Sequence, residues 1–156
     1  MKIISHRGNL EKSNVELENT IPFLEKAIEM GYEVETDIWY VEKKLYLGHN
    51  GPTSVVSVDW LLTNKNKLWI HCKHQDSLFY LKNFSELNIF YHDNDPFTIT
   101  SKNIILINPF FETNYYDGIL MMPEYSKVDI QDVIKFKGIF TDKVTFYEDY
   151  INNVGK

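Results

Sequence analysis

Cysteine is nearly absent. Cys72 is the single one in 156 residues, so no disulfide forms within the chain and the sequence suits a reducing, cytoplasmic setting. Glycine (7) and proline (5) are sparse and follow no period, which excludes a collagen-like or low-complexity chain. No apolar run approaches the roughly 20 residues that cross a bilayer. The run at Met1–His6 breaks within a few residues, so no signal peptide is expected there. Positive charge is in deficit as well: 16 Lys and Arg stand against 22 Asp and Glu, a net charge of −6. A nucleic-acid partner is therefore not expected. Also missing are a Walker-type or dinucleotide-type glycine loop and a nucleophile elbow around Ser5.

What is present is globular composition, with 44% hydrophobic and 15% aromatic residues. No linker divides the chain, so residues 1–156 are read as one domain. Short apolar runs of strand length recur, and they end in polar, chemically capable residues. Lys2–Ser5 leads into His6-Arg7-Gly8, Tyr32–Thr36 into Asp37, and Lys44–Gly48 into His49-Asn50-Gly51. Leu68–Ile70 leads into His71-Cys72-Lys73, Asn88–Tyr91 into His92-Asp93, and Gly138–Phe140 into Thr141-Asp142. Further runs stand at Asn103–Ile107 and Gly118–Met122.

Helical patterns separate several of these runs. Asn19 or Thr20 is placed to cap a helix with Pro22 in its first turn and Gly31 as its stop. Ser57–Leu62, Leu78–Leu87 (capped by Asp76 or Ser77), Asp129–Phe136 and Thr145–Asn152 read as further helices. Alternation of strands and helices predicts an α/β fold with a mostly parallel sheet, in which functional groups gather at the carboxyl ends of strands. Four of the five histidines, all but His74, directly follow such runs.

Side chains alternate across a strand, so Glu33, Glu35 and Asp37 share one face while Val34, Thr36 and Ile38 share the other. Packing the apolar set against helices turns the carboxylates inward. Carboxylates that converge in low dielectric repel unless a cation or basic side chains stand between them, and the functional reading of Glu35 and Asp37 is a metal site. The same alternation puts Trp69, His71 and Lys73 on one face and Leu68, Ile70 and Cys72 on the other. An imidazole there is a nitrogen ligand, and the neighbouring lysine a phosphate contact.

His6-Arg7-Gly8, then Glu18-Asn19-Thr20, then Glu35-Thr36-Asp37, then His49 resembles the signature of glycerophosphodiester phosphodiesterases, members of the PLC-like phosphodiesterase superfamily. The front match covers residues 1–51, and Gly138–Asp142 is similar to that family's last strand. The resemblance implies a TIM-type (β/α) barrel that hydrolyses small phosphodiesters with one divalent ion (Mg, Ca or Mn). His6 and His49 would be its general acid and base, and Arg7 would grip phosphoryl oxygens, with Lys73 and His92 as further phosphate or substrate contacts. Glu35, Asp37 and His71 would hold the metal, Glu18 would support that side, and Asn19 has a sufficient role as helix cap.

The sequence departs from the family in three ways. His71 replaces a carboxylate, which favours softer metals. Asn50 replaces an aspartate. The chain is also far shorter than the roughly 200–250 residues usual for such barrels. The helix signal disappears between residues 93 and 124, so a reduced barrel lacking outer helices is expected there. Ile104–Ile107, Phe110, Phe111, Tyr115 and Tyr116 would then leave an apolar flank suited to a homodimer. Two other activities share these residues: a lyase that stops at a cyclic phosphate, and a barrel that binds phosphate esters without turnover.

Overall fold

The computed structural model describes residues 1–154. Strand β1 (Lys2–His6) stands at the centre of a mixed sheet, flanked in parallel by β2 (Glu33–Val41) and β10 (Gly138–Thr141). On one side β2 continues in parallel to β5 (Leu68–Cys72) and then β6 (Ile89–Phe90). On the other, β10 continues in parallel to β9 (Ile119–Met121) and β8 (Ile105–Ile107). Antiparallel β7 (Phe97–Ile99) completes a hairpin with β8. Across the remaining seam, Ser101 N donates to Ile89 O (2.8 Å) and Ile89 N donates to Ser101 Oγ (3.0 Å). The result is a TIM-like α/β barrel with one irregular stave.

Alternation along the parallel strands builds two apolar regions. Ile4, Trp69, Phe90, Leu106, Ile119, Met121 and Phe140 fill the inside of the ring, where Trp69 meets Phe140 edge to face at 5.4 Å. The opposite faces of β2 and β5 bury Val34, Ile38, Leu68, Ile70 and Cys72 against Leu24 and Ala27 of helix α1 (Ile21–Glu29) and Leu81 of α3 (Gln75–Leu81). Burial pushes the Cys72 thiol up to about 12, so it is an inert core group. Helices α2 (Val58–Thr63), α4 (Ile130–Val133) and α5 (Val144–Val154) complete the outer layer. Among the described residues no helix is long and apolar enough to cross a membrane.

Between β6 and β9 there is no α-helix, so the reduced ring falls where the sequence loses its helical period. The outer face of the β7–β8 hairpin consequently exposes Phe97, Ile99 and Ile105. The expected flank needs correction: Leu106 and Ile107 are buried within the chain, and Tyr116 packs against Phe136. Two strands escaped the sequence reading, β4 (Ser54–Val56) and β7, because three residues carry too little period. Helix α3 is capped by His74, whose ring accepts from Asp76 N, and it stops at Leu81 instead of reaching Leu87.

Strand β3 (Lys44–Leu47) is also unlike its expected role, since it folds back antiparallel on β2 instead of joining the ring. Its hairpin returns His49 to the mouth of the barrel. The turn at Gly48 requires glycine: φ is 144°, and a Cβ would lie 2.1 Å from Gly51 O. Trp39 Nε1 braces it by donating to Gly48 O at 2.6 Å.

Candidate active site

Register creates the site. Parallel pairing sets His6 opposite Glu35 and Asp37 opposite His71, so four inward side chains from three adjacent strands meet at their carboxyl ends. The neighbouring Arg7 takes the left-handed conformation (φ 54°), which turns the chain sharply after His6.

Asp37 is fully buried and surrounded by donors. Its Oδ2 accepts from Asn19 Nδ2 at 3.0 Å and faces His49 Nδ1 at 3.2 Å. Arg7 Nε stands 2.9 Å from the same oxygen, with its N–H out of line for a hydrogen bond. On the other side, His71 Nδ1 lies 2.9 Å and Lys73 Nζ 3.6 Å from Oδ1. Burial works against the charge, but the His49 and His71 contacts and the Arg7 cation outweigh it and hold Asp37 well below the usual carboxylate range.

Asn19 corrects the sequence reading. It does not cap α1: Thr20 occupies the cap position, and its hydroxyl donates to Leu17 O. In a left-handed conformation (φ 56°), Asn19 instead points beneath β2. Its Oδ1 accepts from Thr36 Oγ1 (2.8 Å) and Asp37 N (3.0 Å) while its amide holds the Asp37 carboxylate.

Glu35 has the opposite environment. It is 3% exposed and its side chain accepts no hydrogen bond from the described residues. Burial first, and the adjacent Asp37 charge second, raise its pKa. Glu35 Oε2 and Asp37 Oδ1 are both buried without a hydrogen-bond partner. A buried polar atom left unpaired is costly, and two carboxylate oxygens so left beside an imidazole form a set suited to a divalent cation. Ligand atoms of Glu35, Asp37 and His71 lie within 4.8 Å of one another. Two oxygens and one nitrogen fit Mn²⁺, Fe²⁺ or Zn²⁺ at least as well as Mg²⁺ or Ca²⁺.

His6 faces this set from the side. Its Nε2 stands 3.8 Å from Glu35 Oε2, and its Nδ1 donates to Asp142 Oδ1 at 2.7 Å. Burial favours the neutral ring, but Asp142 and Glu35 together prevail and raise the pKa. Asp142 is itself fixed: its Oδ1 accepts from Asn9 Nδ2 (2.8 Å), and its backbone N donates to Glu124 Oε1 (2.8 Å). Thr141 Oγ1 donates to the same Glu124 carboxylate, and Asn9 Nδ2 also reaches Glu18 Oε1. Asp142, Glu124 and Asn9 were not identified as site residues from the sequence. The one signal was the carboxylate directly after the last strand.

Arg7 arrives with much of its fork engaged. Nη1 donates to Glu18 Oε2 (3.1 Å), Nε faces Asp37, and Nη2 stands 3.4 Å from His49 Nε2. Glu18 is thus the counter-charge of Arg7; burial disfavours its charge, but hydrogen bonds from Ser13, Asn9 and Arg7 outweigh it and keep its pKa low.

These groups border a cavity of about 470 Å³ whose wall includes His6, Arg7, Glu35, His49, His71 and Lys73. His92 also reaches it, with its ring stacked on His71 at 4.6 Å and Phe90 stacked on His71 at 5.0 Å. Burial, then the neighbouring His71, lowers His92 to about 4, so it is neutral near pH 7. Asp37, Glu18 and Asn19 lie behind the wall. Asn50 is exposed and off it.

No protein-family model matches the chain, and no curated protein matches it significantly. Solved structures do. A protein described as a glycerophosphodiester phosphodiesterase from Galdieria sulphuraria superposes with a TM-score of 0.61 at 12% identity, over 97% of this chain and 98% of that one. A glycerophosphoryl diester phosphodiesterase from Parabacteroides distasonis ATCC 8503 superposes at 0.56 with 10% identity, over 98% of this chain and 86% of that one. At these identities the likeness establishes architecture: the chain has the TIM-like α/β barrel fold carried by these two phosphodiesterase structures.

Proposed function

We propose that the chain is a metal-dependent phosphodiester hydrolase acting on glycerophosphodiester-like or phospho-sugar substrates. The observation that carries this reading is the convergence of Glu35, His71 and His6 on one cavity with Asp37 directly behind them, where the buried Glu35 Oε2 and Asp37 Oδ1 make no hydrogen bond. Glu35, Asp37 and His71 would hold the cation. When bound, it would withdraw charge from the phosphoryl group and acidify the attacking hydroxyl or water.

Hydrogen bonding supports the remaining roles. His49 turns Nδ1 to Asp37, and its Nε2, which faces Arg7 Nη2 at 3.4 Å, carries the lone pair that would accept the proton of the attacking hydroxyl or water. His6 turns Nδ1 to Asp142, and its raised pKa keeps a proton on Nε2 for the departing alkoxide. Oxygen adds to phosphorus, the phosphorus–alkoxide bond breaks, and the alcohol leaves protonated. Lys73 and Arg7, both on the cavity wall, would supply positive charge for the phosphoryl oxygens, while the neutral His92, whose Nδ1 donates to Asp93 O at 3.0 Å, would accept from a substrate hydroxyl through Nε2.

The test is phosphorus NMR of a glycerophosphodiester incubated with the protein and Mg²⁺ or Zn²⁺. Hydrolysis gives a linear monoester. A persistent cyclic phosphate would reassign the chain as a lyase, and an unchanged diester that still binds would reassign it as a binding barrel. Every group named above comes from one chain. A homodimer over the uncovered β7–β8 face belongs to the reading only as an assembly, and a monomer in light scattering at assay concentration removes it.

A further inference from the structure

The reaction cavity does not end at its own wall. Pro109 and Phe110 also line an adjoining cleft of about 960 Å³, larger than the cavity of about 470 Å³ where the titratable groups meet. The second space opens beside the stretch from which outer helices are missing. Phe110 is 73% and Tyr115 77% exposed. Tyr116, by contrast, is spent on packing against Phe136 at 5.0 Å. Two large aromatic faces therefore stand free next to the cavity where the titratable groups meet, a use of apolar area that folding alone does not explain.

We infer that this cleft is a subsite for the alcohol half of the substrate, and that the alcohol carries a pyranose ring. The inference rests on the diester reading above and names its substrate class. A sugar offers C–H faces to an aromatic ring and hydroxyls at its edges. The cleft matches both. Phe110 and Tyr115 supply faces, and the side chains of Glu112, Asn114 and Lys127 line it without a hydrogen bond or ion pair among the described residues.

Other alcohols fit less well. Glu112 and Asp129 outnumber Lys127 on the walls, Asp132 being paired with Lys135, which disfavours an anionic leaving group. Carboxylates and an amide interleaved with the aromatic residues leave no continuous apolar channel for an acyl chain. A choline-sized head group would fill only a small part of a space this large.

The test compares kcat/KM for three diesters with the same metal: glucosyl phosphoglycerol, glycerophosphoethanolamine and glycerophosphocholine. The ratio of the glucosyl to the ethanolamine substrate is expected to fall about tenfold in Phe110→Ala and Tyr115→Ala, chiefly through KM. Phe110→Tyr and Tyr115→Phe, which keep a ring, are expected to restore it. Both positions are exposed, so truncation should leave the fold intact, as circular dichroism verifies. An unchanged ratio, or a choline preference lost in the same variants, overturns the sugar assignment.

Saturation-transfer NMR on glucosyl phosphoglycerol separates this result from failure of the reaction. Transfer to the sugar ring that disappears in Phe110→Ala supports the subsite even where no diester is cleaved. No transfer, with diesters still cleaved, overturns the subsite alone.

Discussion

Asp142 Oδ1 lies 2.7 Å from His6 Nδ1, although the two residues stand at opposite ends of the chain, one directly after β10 and the other at the end of the adjacent β1. This contact fixes the imidazole tautomer and turns the other nitrogen toward Glu35 and the cavity. Glu124 and Asn9 then fix Asp142. His6 is thus oriented by Asp142, which reaches the cavity wall itself, with Glu124 and Asn9 bracing Asp142 from behind.

Asp142→Ala should consequently lower kcat by up to about 100-fold while leaving metal affinity close to that of the parent. Without Asp142 the His6 pKa falls, and His6 must be protonated to act as the acid. The alkaline limb of the pH–rate profile should therefore move to lower pH. A variant whose activity drops with an unshifted limb would make Asp142 a purely structural residue.

Replacing Asn19 tests the buried support of Asp37. Asn19→Ala leaves the Thr36 hydroxyl and the Asp37 backbone N–H without their partner. A loss of about 3 kcal/mol in urea unfolding is expected. A helix cap alone would lose only about 1 kcal/mol, and a loss that small would favour the original capping role.

The His92 environment makes a signed prediction for the metal-free protein. Unfolded His92 takes up its proton below 6.5, and the folded ring only below about 4. Between those values the unfolded state binds more protons, so stability falls as pH drops through the window and levels off beneath it. His92→Asn should flatten that part of a plot of Tm against pH relative to the parent. An equal slope in both proteins would assign it to other groups.

Exchanging the nitrogen ligand tests its part in metal choice. His71→Glu adds a third carboxylate at the site, so calorimetry should show Ca²⁺ or Mg²⁺ binding about tenfold tighter. The metal-free variant should melt lower, because three converging carboxylates repel. Unchanged affinity for each of these ions would remove His71 from the ligand set.

Much of this arrangement was legible in the sequence because strands alternate. Glu35 and Asp37 could be placed on one face, and His71 on the matching face of its strand, from a period of two. The missing outer helices were visible in the loss of helical period after Asp93. What could not be read depends on contacts between distant segments. Asn19 precedes a helix and has the chemistry of a cap, and only its burial beneath β2 shows its other use. Asp142 could be seen at a strand end, but its pairing with His6 exists only once β10 closes beside β1. The β3 excursion was hidden for a similar reason, since an apolar run does not reveal whether it pairs in parallel within the ring or folds back.

The most direct test of the central claim is the initial rate of bis(p-nitrophenyl) phosphate hydrolysis with Mg²⁺, Ca²⁺, Mn²⁺ and Zn²⁺ in turn, using the parent protein, His6→Ala and His49→Ala. The account predicts turnover that requires added metal, is greatest with an ion tolerant of nitrogen ligands, and is abolished in both variants. Absence of turnover with every metal, or rates that survive both substitutions, would contradict it.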